Sequence, residues 1–116
     1  MDGVLLDEPE RKARKALAEL KEKISLFLYS HYIDFDRDVG IKIKEEVFHP
    51  SFILRKSHIV IDCFRLTEEQ DDEYAKRSRL YKEDGVKYIA LDLRNLAMKN
   101  VDQALREQLP KLGCAV

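Results

Sequence analysis

Asp34, Asp36 and Asp38 alternate through the stretch DFDRDVGIKIKEE, and Glu45 stands at the twelfth place counted from Asp34. Carboxylate oxygens at that spacing are what a hard divalent cation such as calcium needs. The same loop also needs a sharp turn at its sixth place, normally glycine. Val39 stands there, and Gly40 comes one place late. The exit helix would begin near Ile43, where apolar and charged residues instead alternate up to Pro50. The stretch therefore reads as an acidic helix-to-strand connection, its carboxylates solvated or, for Asp34 or Asp36, bonded to nearby amides.

A second cluster is basic. Lys76, Arg77, Arg79 and Lys82 crowd one segment, and Lys76, Arg79 and Lys82 share a face at three-residue spacing. Two readings stand side by side. The cations either contact phosphates, which supply most sequence-independent affinity for nucleic acid, or form a solvated face suited to the negative end of a helix, with Glu73 and Glu83 as partners. Tyr74 and Tyr81 lie seven apart and read as core-facing rather than base-stacking. His31, His49 and His58 have no cysteine or second histidine at ligand spacing and read as structural. Cys63 and Cys114 give neither a zinc pattern nor a disulfide framework, so they read as a strand thiol and a tail thiol in a reducing compartment. Gly3, Gly40, Gly85 and Gly113 are too scattered for a phosphate loop.

The elements that must carry these residues follow from periodicity. Ala13, Ala16, Leu17, Leu20, Ile24, Phe27 and Leu28 make the stripe of an amphipathic helix, with Pro9 in its first turn and Asp7 and Glu8 at its positive end. GIKIKEEVF alternates like a strand, with Ile41, Ile43 and Val47 on one side. HPSFIL and HIVIDCF read as two strands joined by a turn at Arg55 to Ser57, the second central in its sheet because Ile59, Val60 and Ile61 are all apolar and β-branched. Thr67 and Gln70 form a capping box opening a second helix, which Gly85 ends. VKYIALDL is a further strand, and Asn100 with Gln103 opens a short last helix ended by Pro110.

The order is α-β-β-β-α-β-α: one α/β domain over residues 1–116, a mixed central sheet flanked by helices, with 1–8 and 111–116 as flexible ends. The helix between the third and fourth strands is a crossover, so those strands should run parallel.

HPSFILRKSHIVIDCF places Asp62 eleven residues after Ser51, at the end of an apolar strand in a hairpin. Together with the element order, this resembles the PD-(D/E)XK restriction-endonuclease-like superfamily. The nearest flavour is its very-short-patch-repair-like branch, whose hairpin reads approximately P-D-F and then an apolar strand ending in an acid. AKRSRLYKEDGVKYIALD is similar to that branch's basic crossover helix, glycine and final core strand, so the resemblance spans roughly residues 10 to 95. It implies a metal-dependent endonuclease site. Asp62 matches the acid of the (D/E)-x-K element or, as the bland alternative, is a strand-end carboxylate bonding loop amides; Ser51 stands where the first aspartate belongs, and Phe64 where the lysine belongs. Glu19 falls in the region where many members supply a further metal-binding glutamate. Asp62, Glu19 and Ser51 are thus the implied catalytic set, with Asp62 and Glu19 holding Mg²⁺ or Mn²⁺ if the site is active and no cofactor otherwise.

The departures bear on that chemistry. Such hydrolysis needs metal to polarise the phosphate and activate water. A serine hydroxyl is a poorer ligand than a carboxylate, and phenylalanine cannot stabilise developing charge. Glu46, Asp71 or Asp72 are the acids that could substitute.

Composition bounds the rest. Across 116 residues, 45% are hydrophobic and 37% charged, and 21 Lys+Arg nearly cancel 22 Asp+Glu. Global attraction to nucleic acid or acidic lipid is therefore absent, and any basic face must be local. No apolar run approaches the roughly 20 residues that span a bilayer, and MDGVLLDEPE lacks a basic leader, so a soluble cytoplasmic protein with no membrane partner is expected. Three functions compete: a degenerate nuclease-fold domain that binds DNA or RNA, an active nuclease with an altered site, and a protein-interaction module forming a homodimer or larger complex.

Overall fold

The computed structural model describes residues 8–64, 68–92 and 100–116. The capping threonine at position 67 lies outside them. Helix α1 spans Glu8–Ser30 and is followed by five short strands: β1 Phe35–Arg37, β2 Ile41–Ile43, β3 Glu46–Phe48, β4 Phe52–Leu54 and β5 Ile59–Phe64. Helix α2 covers Glu68–Glu83, strand β6 covers Lys87–Asp92, and helix α3 covers Val101–Lys111.

The main sheet has the order β1-β4-β5-β6. Strand β5 is central, antiparallel to β4 and parallel to β6, with Ile59 opposite Lys87 and Phe64 opposite Asp92. The parallel pair follows from the crossover through α2. Alternation along β5 divides the core. Ile59, Ile61 and Cys63 join Leu20, Ile24, Phe27 and Leu28 of α1 and Val101, Leu105 and Leu109 of α3 on one face. On the other face Val60 packs with Ile43, Phe48, Leu80 and Tyr81. The period of two thus sends Asp62, like Val60, toward α2.

GIKIKEEVF is not one strand. It folds into the separate hairpin β2–β3, Ile41 opposite Phe48 and Ile43 opposite Glu46. Lys44 turns the corner at φ 57°. The fold-back pairs Val47 with Lys42, so Val47 is exposed while Phe48 and Ile43 are buried. The acidic connection also contributes β1, whose Phe35 packs against the first core cluster.

Each helix ends in the same backbone motif. At α1, Tyr32 N–H bonds to the Tyr29 carbonyl and Ile33 N–H to that of Leu28; Gly85 with Val86 and Gly113 with Cys114 repeat it for α2 and α3. The position after the helix must be left-handed. Gly85 at φ 71° and Gly113 at φ 94° suit it, but Tyr32 holds φ 57° with a side chain that is 94% exposed. Tyr32→Gly removes a left-handed penalty of roughly 1–2 kcal/mol and adds unfolded-chain entropy of roughly 0.5–1 kcal/mol. The net gain should be about 0.5 kcal/mol, read as a higher denaturation midpoint.

Helix α3 departs from expectation at both ends. Asn100 has φ −99° and ψ 4° and makes no side-chain capping bond, because an N-cap needs an extended backbone. Pro110 lies inside the helix, which runs on to Lys111. Leu112 and Cys114 pack against the first core cluster, which ties the chain end to the body. Among the described residues no helix is long and apolar enough to cross a membrane.

Candidate functional site

Asp62 is 2% exposed, in the middle of the sheet's α2 face. A carboxylate at that depth must be neutralised or paired. Helix α2 supplies the means, because Tyr74, Arg77 and Tyr81 at spacings of three and four form one inward stripe. Arg77 Nη1 donates to Asp62 Oδ1 at 3.3 Å, with side-chain exposures of 21% and 3%. The guanidinium also lies over the Phe48 ring at 5.2 Å, so the β2–β3 hairpin roofs the pair. Burial pushes the Asp62 carboxyl above its ordinary range, and Arg77 pulls it partly back. Burial, and then the Asp62 charge, likewise pushes the Tyr81 phenol up. Asp62 Oδ2, Arg77 Nε and the Tyr81 hydroxyl are buried with no hydrogen bond among the described residues.

Ser51 is buried, and its Oγ accepts the Cys63 backbone N–H at 3.1 Å. Its oxygen serves strand pairing. Burial drives the Cys63 thiol up to about 12. Cys114 is only partly buried. Against an ordinary thiol value of 9.0, that leaves Cys63 with roughly a thousandth of the usual thiolate. Alkylation at pH 8 should therefore modify Cys114 first and Cys63 only after unfolding, a sequence that peptide mass mapping resolves.

Glu19 does not join this cluster. It is exposed on α1, which covers the opposite face of the sheet from Asp62. Of the acids that could substitute, Glu46 is ion-paired with Lys76 and Asp72 is exposed on α2; the side chain at position 71 lies outside the described residues. The residue at position 64 is in β5, its side chain likewise outside them. The residues present therefore do not fit a hydrolytic Mg²⁺ or Mn²⁺ ion: one carboxylate carries an arginine, one serine holds a backbone amide, and the glutamate is across the sheet. Among the described residues no group of three or more His, Cys, Asp and Glu could hold a metal ion.

The basic residues of α2 divide. Arg77 points inward to Asp62, while Lys76 pairs with Glu46. Arg79 lies 3.9 Å from Glu83, which Lys44 also binds at 2.6 Å. Lys82 is exposed in the last turn. Between β3 and α2 lies a cleft of about 480 Å³, lined by Glu46, Phe48, His49, Glu73, Lys76 and Arg77 among others, and so mixed in charge. In the acidic run, Asp36 accepts from Arg55 Nε and Nη2 at 3.1 and 2.7 Å, bonds that hold its carboxyl below the usual range. Asp38 lies 3.7 Å from Lys21. His31 stacks on Phe27 and its Nδ1 lies 2.9 Å from the Phe27 carbonyl, while His58 is exposed in the β4–β5 turn at φ 58°.

Phe48 and Tyr81 belong to the site as partners that sequence reasoning does not assign to it. One signal is available: when Lys76, Arg79 and Lys82 share the outer face of α2, Arg77 falls inward with Tyr74 and Tyr81. The fold and site define a class, a mixed α/β domain built over a buried aspartate neutralised by arginine. No family model, curated protein or solved structure matches this chain.

Proposed function

We propose that this chain is a non-catalytic domain of restriction-endonuclease-like build, whose work is binding nucleic acid rather than cutting it. The observation behind this reading is the Asp62–Arg77 pair under Phe48. The carboxylate that the resemblance assigns to a metal ion has a guanidinium as its counter-ion instead. A cation with fixed charge and no exchangeable water cannot lower the pKa of an attacking water as a bound metal does. The test incubates the protein with single- and double-stranded DNA and RNA in Mg²⁺ or Mn²⁺, beside Asp62→Asn. No metal-dependent cleavage by either protein is the expected result. Cleavage by the parent that disappears in Asp62→Asn would overturn the proposal.

A second reading, a protein-interaction module, is favoured by the pairing of Lys76 with Glu46 and of Arg79 and Lys44 with Glu83. Those pairs lower the charge that α2 could offer to phosphates. A mass that rises with concentration, in a protein with no salt-dependent affinity for nucleic acid, would select it.

A further inference from the structure

The first turns of α1 hold a charge pattern that the fold does not consume. Residues 11–15 read RKARK, and Lys12, Arg14 and Lys15 are all exposed. Ala13, Ala16 and Leu17 are half-buried, which fixes the roll of the helix so that the cations face away from the body. None of the three makes an ion pair among the described residues, unlike Lys21 and Glu22 further along the same helix. Lys21 faces Asp38, and Glu22 takes Arg37 at 2.9 Å. The cations of α2 mostly have acidic partners.

The helix begins at Glu8, so these cations follow its first turn, beyond which the charge of the helix end fades. Lys12, Arg14 and Lys15 fall within about one helical turn, roughly 5.4 Å of axis, and with no acidic partner among the described residues they suit a phosphate backbone. We infer that Lys12, Arg14 and Lys15 of α1 form the nucleic-acid contact surface of this domain, in preference to the basic residues of α2. The inference rests on the nucleic-acid reading proposed above and names the surface that serves it. It needs no base-specific contact. Neutralised phosphates release counterions, and affinity then falls with salt in proportion to the number of contacts. The near-zero net charge of the whole chain is compatible with it, since the face is local.

Fluorescence anisotropy with a short DNA duplex, and with the RNA duplex of the same sequence, over a salt series tests it. Three proteins are compared: the parent, Lys12→Gln/Arg14→Gln/Lys15→Gln, and Lys76→Gln/Arg79→Gln/Lys82→Gln. The α1 variant should lose about 2.7 units of the slope of log affinity against log salt, at about 0.9 per phosphate contact, while the α2 variant keeps most of the parent's slope. Circular dichroism should show both variants folded, and Lys15→Glu alone should weaken binding further than Lys15→Gln. If the α2 variant carries the loss and the α1 variant binds like the parent, the inference is overturned while the nucleic-acid reading stands. If the parent binds neither duplex at low salt, that reading fails and the inference with it.

Discussion

Arg77→Met should lower the unfolding free energy by about 3 kcal/mol at neutral pH, because it strands a buried carboxylate without its counter-charge. Asp62 cannot reach water, since its side chain is 3% exposed between the sheet and α2. The partial exposure of Arg77 places the expectation at the low end of the range for broken buried pairs. The loss should depend on pH in a definite direction. Burial already holds the folded Asp62 carboxyl above its unfolded value, and losing Arg77, the group that does most to pull it down, raises it further. A carboxyl raised in the folded state contributes stability that is fully present below the unfolded pKa and is lost as pH rises through the folded one. The gap between variant and parent should therefore be small in acid and widen toward neutrality. Denaturant titrations at several pH values read it directly. Asp62→Leu combined with Arg77→Met should return to within about 1 kcal/mol of the parent, since replacing both partners leaves no charge to strand. A double variant no better than Arg77→Met would mean that the guanidinium's packing on Phe48, rather than the charge, sets the effect.

Tyr81→Ala should cost more, about 3–5 kcal/mol, as a large aromatic lost from a closed core. Tyr81 is fully buried, meets Phe48 edge-on at 5.8 Å and tilts against Tyr88 at 5.3 Å. It is the largest apolar contact by which α2 holds the β2–β3 hairpin, beside the Lys76–Glu46 and Lys44–Glu83 pairs, and a two-stranded hairpin is marginal alone. Amide exchange in Ile41–Phe48 should accelerate together with the loss of stability. Tyr81→Phe makes the informative contrast. The hydroxyl has no hydrogen bond among the described residues, so its removal should leave stability within about 1 kcal/mol of the parent. A loss as large as that of Tyr81→Ala would show the hydroxyl holding Asp62 in place.

What the sequence makes legible is what local period controls. The apolar stripe of α1, the central position of β5 and the parallel crossover to β6 all follow from spacing, and Gly85 ends α2 at a positive φ as a helix-ending glycine does. Val47 shows the limit. Alternation through GIKIKEEVF is the same for one strand or for two folded back, and only the pairing of Ile41 with Phe48 decides which side Val47 takes. Glu19 shows another, because the face of the sheet that α1 covers is a tertiary fact. Arg77 lies in a cluster that reads as basic surface, and its turn inward depends on Asp62, fifteen residues earlier on a strand whose facing is set by its neighbours. Pro110 reads as a stop, yet the last helical turn of α3 accommodates it.

The most direct measurement is a Mn²⁺ titration of the isotopically labelled protein, following paramagnetic broadening of backbone amides. With Arg77 as the counter-ion of Asp62, broadening should be weak, scattered over exposed acids, and unchanged by Asp62→Asn. Selective broadening of Asp62, Cys63 and Arg77 at low Mn²⁺, abolished by Asp62→Asn, would mean that the aspartate holds a metal ion and that the domain is built to cut.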